Sequence, residues 1–383
     1  MFRTIGFLAG LGLVGLALGE SGCTVRLNEN GAGGGASATV GSGGNVIPDG
    51  PKGSVGNKCK DDATCDPSLL CNPSKFCQPG SSSLPAQVKQ AVPPVDSVQV
   101  PSGSPILLFT DGKYPNVSFK LVAFTLSGQS DITAKVVITK LSSTKAKDIF
   151  VLSGKEPFPL GASVVVTLSG DITGNLTFNV DHNAPVSADG KLGFEGEKGS
   201  DQCADPAYSP VPVGWKGFGD TAAIGPTGSL KPTEGQRMLA LTTGQALCGE
   251  AIGQTTSIVV SGPITMGPAA GVSFNYNFQS SEFDDYCNSD YDDTFLTILA
   301  GPKGAVAKIV NSVNMVCDGK MQKDATFPKM PDGGDQVYRE TGIQAGAISG
   351  DVGSPAVVAF VVTDVGDNIL STVVGIDDIR VAK

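Results

Sequence analysis

The chain has 383 residues, 40% of them apolar and 17% charged, enough to bury a sizeable core and too few charges for a disordered polyelectrolyte. Asp and Glu outnumber Lys and Arg 37 to 27, a net charge of −10, so nucleic acid is excluded as a partner by long-range repulsion. One His removes most histidine chemistry, while 51 Gly and 25 Pro predict short strands joined by turns, an all-β protein.

Met1–Gly22 reads as an export signal, with Arg3 as its charged start and Ile5–Leu18 as its apolar run. That run is shorter than the roughly 20 apolar residues a membrane helix needs. Gly10-x-Gly12-x-x-Gly15 matches a dinucleotide fingerprint in form, but no strand precedes it and it leaves with the signal. Ser21-Gly22-Cys23 resembles the end of a bacterial lipoprotein signal, departing from it at Glu20. The resemblance implies lipid on Cys23, so that the membrane is reached through this lipid only and the protein sits at the outer membrane or cell surface. A cut after Ala17-Leu18-Gly19, giving a secreted chain, is the alternative. The cysteine count favours lipidation: of nine Cys, removing Cys23 leaves eight, an even number for disulfides in an exported protein.

Residues 23–56 are dominated by Gly, Ser, Ala and Asn and predict a flexible linker. Residues 57–80 hold Cys59, Cys65, Cys71 and Cys77 at even spacing. So short a segment needs two disulfides to hold it. Zinc is disfavoured, because the C-x2–4-C pairs of structural sites are missing. Three connectivities stay open. The pattern Cys59-x-x-Asp62-x-x-Cys65 with Leu70-Cys71 resembles small cysteine-rich extracellular modules. A Ser/Pro-rich linker is expected over 81–94.

From 95 to 186 apolar runs recur between turn signals, among them Ile106–Phe109, Val117–Leu126, Val136–Ile138, Val164–Val166 and Leu176–Phe178. This spacing predicts a β-sandwich. Pro101–Ile106 and Gly161–Val166 resemble parts of bacterial immunoglobulin-like domains, which implies a spacer without a site. The lone His182, in Asp181-His182-Asn183, has no evident Ser or Cys partner in the sequence.

Residues 190–383 carry the clearest patterns. Val272, Phe274, Tyr276 and Phe278 alternate with Ser273, Asn275, Asn277 and Gln279, the signature of a half-buried strand. Thr294–Leu299 and Val357–Val362 predict further strands. Phe194-Glu195, Gly214-Trp215, Pro232–Gly235, Phe274–Phe283, Asp292–Phe295 and Asp377-Asp378-Ile379 together resemble bacterial extracellular jelly-roll domains of the choice-of-anchor group and, more distantly, carbohydrate-binding jelly rolls. The resemblance implies a jelly-roll β-sandwich, non-catalytic, serving binding or adhesion, with a structural calcium in many carbohydrate-binding relatives. The expected partners are a surface polysaccharide or a surface protein.

Glu282, Asp284, Asp285, Asp290, Asp292 and Asp293 put six carboxylates in twelve residues without a cation among them. Their mutual repulsion is relieved by a hard cation, and calcium takes six to eight oxygen ligands. Calcium is therefore expected at some of Glu282, Asp285, Asp290, Asp292 and Asp293, joined by Asp377 or Asp378; a solvated acidic loop is the plain alternative. Cys203 with Cys248 and Cys287 with Cys317 are the expected remaining disulfides, other pairings staying open. Trp215 is read as a core anchor before a sugar platform, and Tyr286 and Tyr291 are candidate sugar contacts. No G-x-S-x-G elbow or P-loop occurs, so no enzyme is expected, paired carboxylates leaving glycan hydrolysis as the remote alternative.

Overall fold

A computed structural model describes residues 52, 59–60, 65, 69–71, 77–79, 84–93, 95, 100–125, 128–142, 147–182, 187–188, 192–195, 214–243, 256–268, 271–283, 286–319, 323–325, 338–364 and 371–382. Cys23, Asp285, Cys203 and Cys248 lie outside them. The first strands, β1 (Leu69–Cys71) and β2 (Cys77–Pro79), form a hairpin. There follow β3 (Val88–Val92), β4 (Val100–Pro101), β5 (Ile106–Thr110), β6 (Val117–Thr125), β7 (Gly128–Asp131), β8 (Val136–Ser142), β9 (Asp148–Gly154), β10 (Ala162–Gly170) and β11 (Gly174–His182). The second half begins with β12 (Trp215–Phe218), β13 (Asp220–Ile224), β14 (Met238–Thr242), β15 (Thr256–Ser261), β16 (Gly271–Ser280), β17 (Thr294–Gly301) and β18 (Gly304–Ser312). It closes with α1 (Val313–Gly319), β19 (Lys323–Ala325), β20 (Tyr338–Ser349), β21 (Val357–Thr363) and β22 (Thr372–Val381).

In the hairpin Cys71 and Cys77 are register partners, yet each is bonded backward in the chain, Cys71 to Cys59 and Cys77 to Cys65. The two disulfides lie side by side, with the Cys65 and Cys59 sulfurs 3.8 Å apart.

The larger strands form two β-sandwiches. The first pairs a sheet of order β4-β11-β10-β6-β7 with one of order β3-β5-β9-β8. The second pairs β12-β15-β21-β17-β18 with β13-β14-β22-β16-β20-β19. Side chains alternate across a strand, and this alternation sets the packing. Ile106 and Leu108 of β5 point into the first sandwich with Leu121, Val164, Val166 and Phe178. Leu107 and Phe109 point the other way, where they pack with Ile258, Val260, Leu296, Ile298 and Val361 of the second sandwich. Val259, Phe295 and Phe360 then face across that second sandwich to Phe274, Phe278, Val374 and Ile376.

The four sheets are thus stacked layer on layer, and in the two in the middle β5, β9, β15, β17 and β21 are buried on both faces. Strands buried on both faces read as unbroken apolar runs, which accounts for Ile106–Phe109 and Val357–Val362. The two sandwiches share a core and are not separate beads. Polar contacts cross the same layer: Gln90 of β3 donates from Nε2 to Thr256 Oγ1, and its Oε1 accepts from Thr363 Oγ1 at 2.7 Å. Thr139 Oγ1 of β8 donates to the Ala305 carbonyl of β18 at 3.2 Å.

One expectation needs correcting here. The segment 81–94, expected to be a linker, contains β3, whose Val88 and Ala91 enter the first core while Val92 enters the shared layer. The prolines after Val92 masked its apolar side chains. Trp215 is a core residue, buried between Phe194 and Phe360 with ring centroids at 5.8 and 6.1 Å.

Candidate functional site

The acidic loop joins β16 to β17 at one end of the second sandwich. Its course is fixed by hydrogen bonds within the loop and to α1. Tyr286 N–H donates to the Glu282 carbonyl at 3.1 Å, Ser289 N–H to the Tyr286 carbonyl at 3.0 Å, and Tyr291 N–H to Ser289 Oγ at 3.0 Å. Helix α1 clamps the far side. Asn314 N–H donates to Asp292 Oδ1 at 2.8 Å, Asn314 Nδ2 to the Ser289 carbonyl at 3.1 Å, and Val313 N–H to the Asp293 carbonyl at 3.1 Å. A disulfide joins Cys287 to Cys317 in α1, with their Cα atoms 5.7 Å apart.

This bracing holds a half-buried ring, Tyr286, against an exposed one, Tyr291. Tyr286 and Tyr291 meet edge to face at 5.3 Å, and Tyr291 and Met315 stand more than a third exposed. Asp290, on the crest, forms an ion pair with Lys147 of the first sandwich at 3.5 Å. Below the crest the acids are buried: Glu282 is 1%, Asp292 5% and Asp293 0% exposed. Asp220 and Asp364, which sequence patterning had not singled out, are buried at the same end of the sheets, beside Thr242 and Thr363 respectively. A belt of hydroxyls lines it, with Thr243 Oγ1 donating to Asp293 Oδ2 at 3.3 Å and Thr372 Oγ1 to Ser280 Oγ at 2.8 Å.

Asp377 and Asp378 are not part of this cluster. Asp377 pairs in register with Asn275, five residues along β16 from the end where the loop begins, about 16 Å at the usual strand rise. The Asp377 carboxylate serves another purpose. Its Oδ2 accepts from Thr233 N–H at 2.6 Å, Thr233 Oγ1 at 3.2 Å and Glu234 N–H at 2.8 Å. From the other side Glu195 accepts from Gln236 N–H at 2.9 Å and Arg237 N–H at 3.0 Å. Two carboxylates therefore grip the backbone of the 232–237 turn, which unites the motifs Phe194-Glu195, Pro232–Gly235 and Asp377-Asp378. Asp378, in a left-handed conformation at φ 51°, pairs with Arg380 and receives Asn275 Nδ2 at 3.3 Å.

Gly235 is required by this grip. Its φ is +59°, and a Cβ there would collide with the Glu195 carboxylate. Gly235→Ala is expected to lower stability by about 1–3 kcal/mol, read as a fall in the denaturant midpoint at unchanged slope.

The donor chemistry of the loop suits a hard cation, since Glu282, Asp292 and Asp293 offer oxygen alone. Their placement is more open than a finished metal cage. Among the described residues, the acidic, His and Cys side chains whose ligand atoms converge three together within 4.8 Å are Cys59, Cys65 and Cys77, and these are committed to disulfides. No helix of the described residues is long and apolar enough to cross a membrane.

No family model matches the chain, and no curated protein matches it. Solved structures to which it is similar include TmCBM61 in complex with β-1,4-galactotriose, at 11% identity over 44% of this chain and 88% of that one, with a TM-score of 0.23. Another is the K3 cleaved adhesin domain of Lys-gingipain from Porphyromonas gingivalis w83, at 10% identity over 45% of this chain and 94% of that one, with a TM-score of 0.25. Likenesses this distant leave the functional reading to the geometry of the chain itself.

Proposed function

We propose that the protein is an exported, non-catalytic binding module that presents the loop between β16 and β17 to a polysaccharide or protein at a bacterial cell surface. The observation that carries this reading is the bracing of Tyr286 and Tyr291 by the Cys287–Cys317 disulfide and the Asn314 clamps. Aromatic side chains held in place before contact lose little entropy on binding, which is how rigid recognition surfaces gain affinity. A hydrolytic role is disfavoured by the same geometry. Asp292 and Asp293 are buried and turned toward Asn314 and Thr243, whereas paired glycosidase carboxylates must reach the sugar.

Calcium would serve as a brace at the base of the loop, held by Glu282, Asp292 and Asp293. It would offset the repulsion among acids that the fold crowds together. A lipid on Cys23 would tether the module, with residues 23–56 as its lead; the intact mass of protein from its host tests this directly.

The binding experiment is capture on a panel of surface polysaccharides and on whole bacterial cells. The native protein is expected to be retained and the Tyr286→Ala, Tyr291→Ala double variant to be retained at least about fivefold less, a loss of about 1 kcal/mol or more for the two rings together. Equal retention of the two proteins would rule out the loop as the binding element. Calcium is expected to release heat on titration and to raise the melting temperature; a flat titration with unchanged melting would remove the metal from the proposal.

A further inference from the structure

The four cysteines of the first module are drawn together more tightly than two disulfides require. The sulfurs of Cys59, Cys65 and Cys77 all lie within 4.8 Å of one another, and Cys71 is bonded to Cys59. Four sulfurs thus share one small volume. The β1–β2 hairpin brings in two of them, because Cys71 and Cys77 stand directly opposite in its register and opposite side chains leave the same face about 5 Å apart. The other two, Cys59 and Cys65, are not bonded to each other, yet their sulfurs are 3.8 Å apart.

That distance has a chemical meaning. Zinc holds four thiolates tetrahedrally at about 2.3 Å, which sets neighbouring sulfurs about 3.8 Å apart. Cys59 and Cys65 already stand at this separation. The sulfurs of each disulfide have only to part by roughly 1.8 Å to reach it, a movement that side-chain rotation supplies while the hairpin stays paired. The C-x2–4-C spacing of structural zinc sites is absent, but here strand pairing, and not closeness along the chain, gathers the ligands. Cys59 and Cys77 are buried, whereas Cys65 and Cys71 are half-buried, so each disulfide has one end within reach of an attacking thiol. A segment too short to bury a core needs a staple in either redox state, and a metal is the alternative to disulfides.

We infer that the module has a second closed state, in which reduced Cys59, Cys65, Cys71 and Cys77 bind one zinc ion. Two molecules of an external dithiol deliver four electrons and four protons to the two disulfides and are themselves oxidised to disulfides. The four thiols then release their protons to solvent as their sulfurs become ligands of zinc. Oxidation reverses the exchange and expels the ion. The disulfide state belongs to the oxidising surroundings of an exported chain, and the zinc state to reducing ones.

Cobalt(II), which reports sulfur coordination by its colour, tests this on the full chain after reduction with a phosphine. The reduced protein is expected to take up cobalt with the ligand-field and sulfur-to-metal bands of a four-sulfur site, and zinc is expected to displace it. The oxidised protein is expected to stay colourless. Cys59→Ser and Cys65→Ser are each expected to weaken cobalt binding about tenfold or more. Alkylation of the reduced native chain, read residue by residue by mass, decides the matter if a variant fails to fold. Zinc is expected to slow alkylation of Cys59, Cys65, Cys71 and Cys77 about tenfold or more, leaving the chain's other cysteines at their zinc-free rates. Protection that spares these four overturns the site, as does a spectrum unchanged by both substitutions or no uptake of cobalt at all.

Discussion

Replacing Phe109 with alanine is expected to lower stability by about 3–5 kcal/mol, and to do so in both sandwiches at once. Phe109 belongs to β5 of the first sandwich, but its ring is buried in the layer that also holds Ile258, Leu296, Ile298 and Val361 of the second. A cavity there removes contacts from two sheets that each use their other face for a separate core. Calorimetry of the native protein is expected to show one transition for β3 through β22, shifted down as a whole in Phe109→Ala. Two transitions, with the substitution moving the first and leaving the second in place, would show that the sandwiches unfold independently. The Gln90 contacts to Thr256 and Thr363 give a milder check, since Gln90→Ala is expected to shift the same single transition by about 1–2 kcal/mol.

The second large effect concerns the Cys287–Cys317 disulfide. Its removal by the paired change Cys287→Ser and Cys317→Ser frees a loop of 30 residues, worth about 3–4 kcal/mol on the loop-entropy relation. The closed loop includes β17 and β18, so the loss falls on the global transition. Binding through Tyr286 and Tyr291 is expected to weaken further than stability alone explains, because the rings lose the scaffold that holds them. Measuring capture well below the variant's melting temperature separates the two effects. Undiminished capture at that temperature would show that the Asn314 hydrogen bonds suffice to hold the loop.

Much of the fold was legible because alternation is a direct record of burial. The row Val272, Phe274, Tyr276 and Phe278 declared its inward face, and the polar row beside it declared an outward one. The unbroken runs Ile106–Phe109 and Val357–Val362 were equally visible as strands. What they meant was not, because a run without polar positions says that both faces are covered and does not say by what. The cover is the other sandwich, more than a hundred residues distant in sequence. Local patterning carries no such information, and the immunoglobulin-like resemblance pointed instead to a free-standing spacer.

The site was legible in part. Six acids in twelve residues marked the loop, and the cysteine within it pointed to a tether. The role of Asp377 was hidden, since a carboxylate that receives backbone N–H groups from a turn looks in sequence like one that could bind metal. Glu195 was hidden for the same reason. Gly235 between the gripped amides was the available clue, because a left-handed glycine inside a Pro-Thr-Glu-Gly turn asks what occupies the space a side chain would fill. The even spacing of the first four cysteines could not choose a pairing. That choice is made by the β1–β2 hairpin, which places Cys71 beside Cys77 and turns both toward the preceding segment.

Strand β22 lies between β14 and β16 in the middle of its sheet, although it is synthesised after both. Until Thr372–Val381 arrives, β13 and β14 have no edge to join, and Val374 and Ile376 are missing from the core they complete. The second sandwich therefore cannot close until that strand is in place. Removing Thr372–Val381 would split the sheet into two pieces, β13-β14 and β16-β20-β19, each with a bare strand edge open to other chains.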